Sequence, residues 1–203
     1  MAGKGEIYEK FLTVATTGEG RLTEKMSRFI SFAIGVDDEQ TAKDLIKKFS
    51  NDYHDARHVC WAYMLGADRS RYLSSDNGEP SGTAGKPILG QINSFSLTNV
   101  LVVVVRYFGG IKLGTSGLIS AYREAARLAL EDAGVKEVTC ETTMEFTYGY
   151  ADMNRVMKII KENSLEIKNQ AVDNECNMLI SVPLLIFDTI KLKLENISSV
   201  RIK

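Results

Sequence analysis

Cysteine is scarce in this chain: Cys60, Cys140 and Cys176 are all there is, widely separated and without a C-x-x-C. That pattern argues against both a disulfide framework and a zinc site, and leaves the three as small core residues. A surplus of charge is missing too. Lysine and arginine number 25 against 26 acidic residues, a formal net charge of -1, and neither side of Cys140 is basic overall. Strong nonspecific binding to nucleic acid is therefore not expected, and any such contact has to be a local patch. Long apolar runs are also absent. The opening Met1-Ala-Gly-Lys-Gly-Glu-Ile-Tyr8 carries no apolar signal core, and no run approaches the roughly 20 residues of a membrane span. A soluble, cytoplasmic protein with no membrane contact is the expectation.

What is present is organised around residues 99–134. Val100-Leu-Val-Val-Val-Val105 is an unalternating, mostly β-branched run, which suits a strand buried on both faces of a sheet covered by helices. Arg106-Tyr-Phe-Gly-Gly-Ile-Lys-Leu-Gly-Thr-Ser-Gly117 follows, and then Leu118, Ala121, Tyr122, Ala125, Ala126, Ala129 and Ala133 recur at helical spacing. Thr115 or Ser116 is available as N-cap and Gly134 as terminator. The alanines thin that face, so the helix can lie close to the sheet.

Upstream, Leu12–Thr17 and Arg28–Val36 read as strands of an opening hairpin turned at Gly18 to Gly20. Asp37-Asp-Glu-Gln40 has the spacing of a capping box, and Ala42, Leu45, Ile46 and Phe49 continue as an amphipathic helix. Val59–Leu65 is a second buried strand. Residues 66–85 form a long loop, and Pro87–Phe95 supplies a short helix with Ile88, Leu89 and Ile92 on one face.

A boundary between Val135 and Glu141 divides the 203 residues into domains 1–136 and 137–203. In the second, Thr142–Tyr150 places Met144, Phe146, Tyr148 and Tyr150 on one strand face, and Asp152 caps a helix. Strands follow at Leu165–Val172 and Cys176–Val182 around a turn at Asp173-Asn174, then a helix within Leu184–Asn196 and a short strand at Val200–Ile202. This β-α-β-β-α-β order is ferredoxin-like, so the class is α+β.

The chemistry-bearing residues are few. His54-Asp-Ala-Arg-His58 holds both histidines, but the segment enters a strand, where positions four apart are too distant to share a metal ion. No metal is expected; His58 can orient a polar network with Asp55 or Asp76, or be a plain satisfied residue. Asp76 and Glu79 could act as acid and base, or could hold their loop through its own N–H groups and Arg106. Residues 109–115 read G-x-x-x-x-G-T, neither Walker A nor G-x-G-x-x-G, yet Gly109, Gly110, Lys112, Thr115 and Ser116 at a helix start make either an anion cradle or a structural turn. Arg106 suits a phosphate or carboxylate, and Tyr107 or Phe108 could stack on a base or belong to the core. No Ser/His/Asp constellation is assignable.

Two segments together resemble a known family. Ser75-Asp-Asn-Gly-Glu-Pro-Ser-Gly-Thr-Ala-Gly-Lys-Pro-Ile-Leu89 and Val102-Val-Val-Val-Arg-Tyr-Phe-Gly-Gly-Ile-Lys-Leu-Gly114 resemble the signature of the Impact family in its bacterial two-domain, YigZ-like form. Lys25-Met-Ser-Arg-Phe-Ile30 and His54-Asp-Ala-Arg-His-Val-Cys-Trp-Ala-Tyr63 extend the likeness. The resemblance implies an N-terminal domain like the second domain of ribosomal protein S-five and the GHMP kinases. It also implies a ferredoxin-like domain similar to the last domain of elongation factor G. For function it implies a translation-linked binding protein whose partner is RNA, the ribosome or a translation-related protein, with no accepted reaction and no cofactor. The alternative is an enzyme acting on a small phosphorylated substrate through the glycine loop. Asn77, Thr115-Ser116 and Ser120 depart from the family pattern, in the direction of binding rather than catalysis.

Overall fold

A computed structural model describes residues 8–172 and 175–203, so the expected turn at Asp173-Asn174 lies outside the described residues. The chain is mixed α+β and divides into two compact units, one of Phe11–Val138 and one made mainly of Thr139–Lys203.

The first unit contains β1 (Lys10–Val14), β2 (Gly18–Glu24), β3 (Ser27–Gly35), α1 (Glu39–Asp52), β4 (His58–Leu65) and β5 (Arg71–Ser75), and continues with α2 (Gly85–Ser94), β6 (Val100–Tyr107), α3 (Gly114–Ala133) and β7 (Val135–Thr139). Its main sheet runs β2-β3-β6-β4-β5, antiparallel throughout, with β6 in the centre. Because side chains alternate along a strand, the valine run serves two cores at once. Val100, Val102 and Val104 pack with Ile88 and Ile92 of α2 and the alanine face of α3, while Leu101, Val103 and Val105 join the cluster around Ala42 and Phe49 of α1. The double burial expected of this strand is what is found. α1 starts on Asp38, whose carboxylate accepts from the Thr41 N–H at 2.8 Å.

The opening hairpin is arranged differently from the expectation. β1 pairs with β7, at the other end of the unit, and the hairpin is β2–β3, turning at Lys25-Met26, both at positive φ. Gly18 and Gly20 are strand residues rather than a turn. A Cβ on Gly18 would lie 2.3 Å from both Ala129 O and Ala133 N, so glycine is what lets β2 ride against the backbone of α3. β5 lies inside the stretch expected to be loop; as an exposed edge strand it carries little apolar pattern to announce itself.

The second unit holds β8 (Glu141–Tyr148), α4 (Met153–Glu162), β9 (Glu166–Val172), β10 (Cys176–Pro183), α5 (Phe187–Glu195) and β11 (Arg201–Ile202). The order β11-β8-β10-β9 is the ferredoxin-like one, fourth-first-third-second. Met144, Phe146 and Tyr148 face Val156 and Ile160 of α4 and Ile190 and Leu194 of α5. Tyr150, expected on the same face, instead lies in a short turn of 3-10 helix and is 73% exposed. Asp152 does precede α4, but its side chain caps no N–H; it accepts from Ser199 and Arg155. Among the described residues no helix is long and apolar enough to cross a membrane.

Candidate functional site

β6 ends at Arg106 and Tyr107, and the alternation that splits the valines also splits these two. Arg106 is the register partner of Phe29 on β3 and His58 on β4, and it points to the α2–α3 side. Tyr107 turns to the other side, where its hydroxyl donates to Asp55 at 2.9 Å and Arg28 lies 5.1 Å from its ring centre. Burial, and then the Asp55 carboxylate, push the Tyr107 hydroxyl pKa up. The cation and tyrosine expected side by side are therefore on opposite faces of the sheet.

Arg106 is 5% exposed and its guanidinium is bonded within the protein. Its Nη1 donates to Glu79 Oε1 at 2.6 Å and its Nη2 to Ser27 Oγ at 3.3 Å; only Nε is buried without a partner. Tyr122, the one large polar side chain on the alanine face of α3, donates to the same Glu79 oxygen at 2.8 Å. His58 Nε2 stands 3.9 Å from that oxygen, while its Nδ1 donates to the Asn77 carbonyl at 2.9 Å. His58 thus joins Glu79 and Asn77 rather than Asp55 or Asp76.

Asp76 holds the loop through the loop's own N–H groups. Its Oδ1 accepts from Ala84 and Gly85, at 2.9 and 2.8 Å, and its Oδ2 from Gly82 at 2.7 Å. Burial alone would raise its pKa; the three N–H groups outweigh that and hold it below the ordinary carboxylate value. Since Ala84 cannot cap α2, Asp76 does so from a distance. Asp76 and Glu79 consequently do different work, the first fixing a helix start and the second closing an ion pair.

Cys60 lies beneath this loop, its thiol 2.9 Å from the Asp76 carbonyl and 3.4 Å from the Tyr122 hydroxyl. Burial pushes that thiol up to about 12. At pH 8 its thiolate fraction is then about a thousandfold below that of an ordinary cysteine, and it is no nucleophile. Iodoacetamide at pH 8 should leave Cys60 unmodified in the native protein and label it fully in urea; native labelling by mass spectrometry would contradict this burial.

The glycine loop passes over the β2–β3 turn. A Cβ on Gly109 would sit 2.0 Å from Met26 C, so only glycine passes there, and the Gly109 N–H lies 3.3 Å from Ser27 Oγ. Gly110 follows at φ 87°, and α3 begins at Gly114 with Leu113 at the cap position. Neither Thr115 nor Ser116 is the N-cap; both are exposed within the first turn, whose N–H groups have no side-chain cap. The loop is held tightly at Gly109 and leaves the start of α3 without a side-chain cap.

His58, Glu79, Arg106, Lys112 and Thr115 come together on one cleft of about 500 Å³, which Arg57 and Phe108 also line. Arg57 and Lys112 are exposed, and among the described residues neither side chain has an ion pair or hydrogen bond. Phe108 is 44% exposed, and the Arg106 guanidinium lies 5.6 Å from its ring centre. Asp76 and Tyr107 do not line this cleft, and His54 is occupied with the Asn51 carbonyl at 3.1 Å. Sequence reasoning missed Arg57, Ser27 and Tyr122. The last had a signal, a tyrosine standing among alanines on a buried helical face. No group of three or more His, Cys, Asp or Glu among the described residues could hold a metal ion.

Comparison with known proteins agrees with this architecture. Residues 25–130 match the model of the Impact N-terminal domain. The chain is 35% identical over 162 residues to the IMPACT family member YvyE of Bacillus subtilis, spanning 80% of this chain and 75% of that protein. It is 36% identical over 162 residues to the IMPACT family member YigZ of Escherichia coli, spanning 79% and 78%. A crystal structure described as that of a hypothetical protein superposes with a TM-score of 0.72 at 30% identity, over 96% of this chain and 97% of the other. With residues 25–130 matching that domain and relatives alike over most of their length, the chain belongs to the Impact family.

Proposed function

We propose that this protein is a non-catalytic binding protein linked to translation, and that the cleft beside the glycine loop takes single-stranded RNA. One observation carries the reading: two cations without a partner among the described residues, Arg57 and Lys112, and the uncapped start of α3 line one cleft with an exposed aromatic ring, Phe108. Cations and free N–H groups suit the phosphates, and the ring suits a base, a combination that binds single strands without reading sequence closely. The carboxylate on the cleft is no obstacle, because Glu79 is neutralised by Arg106. Binding is favoured over turnover because the candidate acid–base pair is divided: Asp76 is engaged by three N–H groups away from the cleft, and Glu79 is bonded twice. The link to translation rests on the family resemblance.

Arg57→Ala with Lys112→Ala should weaken binding of a fluorescent oligoribonucleotide at least about tenfold, since leaving two phosphates of a single strand without their cations also removes roughly 1.4 from the log–log salt slope. Both residues are exposed, so thermal unfolding should be unchanged. Unaltered RNA affinity in the folded double variant would defeat the assignment.

A further inference from the structure

Next to the cleft, α2 and α3 leave a second concavity of about 360 Å³, bordered by Gly82, Lys86, Gly90, Ile119 and Arg123. The two depressions draw neighbouring residues from the same two segments. Pro80 borders the first and Gly82 the second, on one turn of the Ser75–Gly85 segment, and Leu118 and Ile119 divide between them. Thr115, Ile119 and Arg123 form an i, i+4, i+8 row along one flank of α3, leading from the first depression into the second.

This second stretch has the same electrostatic character as the first. Lys86 and Arg123 are exposed, and among the described residues neither side chain has an ion pair or hydrogen bond. The nearby carboxylate of Asp76 is engaged by the three N–H groups at the start of α2. A Cβ built on Gly90 meets nothing within 4 Å, so this wall is open to an incoming group. Among the described residues no aromatic side chain borders this concavity. It offers charge without a stacking surface.

We infer that the two depressions form one track, in which Phe108 stacks a base in the first and Lys86 and Arg123 hold the backbone phosphates of neighbouring nucleotides in the second. The ligand class is thereby narrowed, within the RNA-binding reading on which this rests, to a single-stranded oligoribonucleotide rather than a mononucleotide. The spacing along α3 supports it. Thr115 and Arg123 are eight residues apart on α3, about 12 Å along the axis at 1.5 Å per residue, too far for one phosphate group to serve both ends.

The test is fluorescence anisotropy with labelled oligouridylates from dinucleotide to dodecamer, on the full chain and on two double variants. For the unaltered protein, affinity should rise as the oligomer becomes long enough to reach both depressions and then level off. Lys86→Ala with Arg123→Ala should abolish that rise while leaving the shortest ligands bound as before. For long oligomers it should also reduce the salt slope by about 1.4, at roughly 0.7 for each phosphate no longer neutralised. Long oligomers bound equally well by this folded variant would overturn the track. If Arg57→Ala with Lys112→Ala still weakened them, the RNA-binding reading would stand without it. No binding by the unaltered protein at any length would overturn both.

Discussion

Glu79→Ala is expected to lower the stability of the N-terminal unit by about 3–5 kcal/mol, the usual cost of stripping one partner from a buried ion pair. The side chains of Glu79 and Arg106 are only 3% and 6% exposed and meet at 2.6 Å. Without the carboxylate, a guanidinium already short of one partner at Nε is left charged beneath the sheet's end, and the Tyr122 hydroxyl loses its acceptor. Arg106→Ala should cost a similar amount for the mirror-image reason. The double variant should cost clearly less than the two singles added, because no uncompensated charge remains. Urea unfolding followed by tryptophan fluorescence isolates the relevant unit, since the chain's one tryptophan is Trp61 on β4. Additive single costs, or a Glu79→Ala loss below about 1 kcal/mol, would mean that the pair is not coupled as its geometry implies. The same coupling makes Arg106 a poor choice for probing RNA: its charge is already matched by Glu79, and its removal would be confounded with unfolding.

Much of this architecture is legible along the chain where the pattern is local. The valine run, the alanine face of α3, the stop at Gly134 and the ferredoxin-like order all follow from periodicity and turn chemistry within a few residues. What escapes is decided by distant partners. β1 seeks β7, more than a hundred residues away, and no local rule distinguishes that from a hairpin with its neighbour. Gly18 and Gly20 look like a turn because glycine signals both tight turns and close backbone approach, and only the position of α3 chooses between them. The site divides in the same way. Glu79 with Arg106 reads as a holding pair from turn chemistry, whereas composition alone does not say that residues 79–80 and the glycine loop line one cleft. The separation of Arg106 from Tyr107 is also available from the two-residue period of β6, which applies to the last residues of a strand as much as to its middle. Arg57, by contrast, is an ordinary exposed arginine until the fold brings Lys112 and Phe108 to the same cleft.

Asp76→Ala is expected to cost about 2–4 kcal/mol, because three donors, the N–H groups of Gly82, Ala84 and Gly85, lose one carboxylate at the start of α2. Each orphaned donor can cost about 1–3 kcal/mol when fully buried, and partial access to water keeps the sum toward the lower end. Asp76→Asn should fall between. Its amide oxygen can still serve Ala84 and Gly85, but the amino group then faces the Gly82 N–H, donor against donor. The two variants also fix the sign of a pH dependence. Because the folded-state pKa of Asp76 is depressed, its contribution is fully present above the unfolded value of about 3.9 and is lost as pH falls through the lower folded value. The stability gap between the unaltered protein and Asp76→Asn, read from urea midpoints by Trp61 fluorescence, should therefore be constant near neutrality. Below about pH 4 it should shrink, since protonated Asp76 resembles the asparagine that replaces it. A gap that widened in acid would mean that the carboxyl is stabilised in its neutral form, and would place the loop's anchor elsewhere than on these three N–H groups.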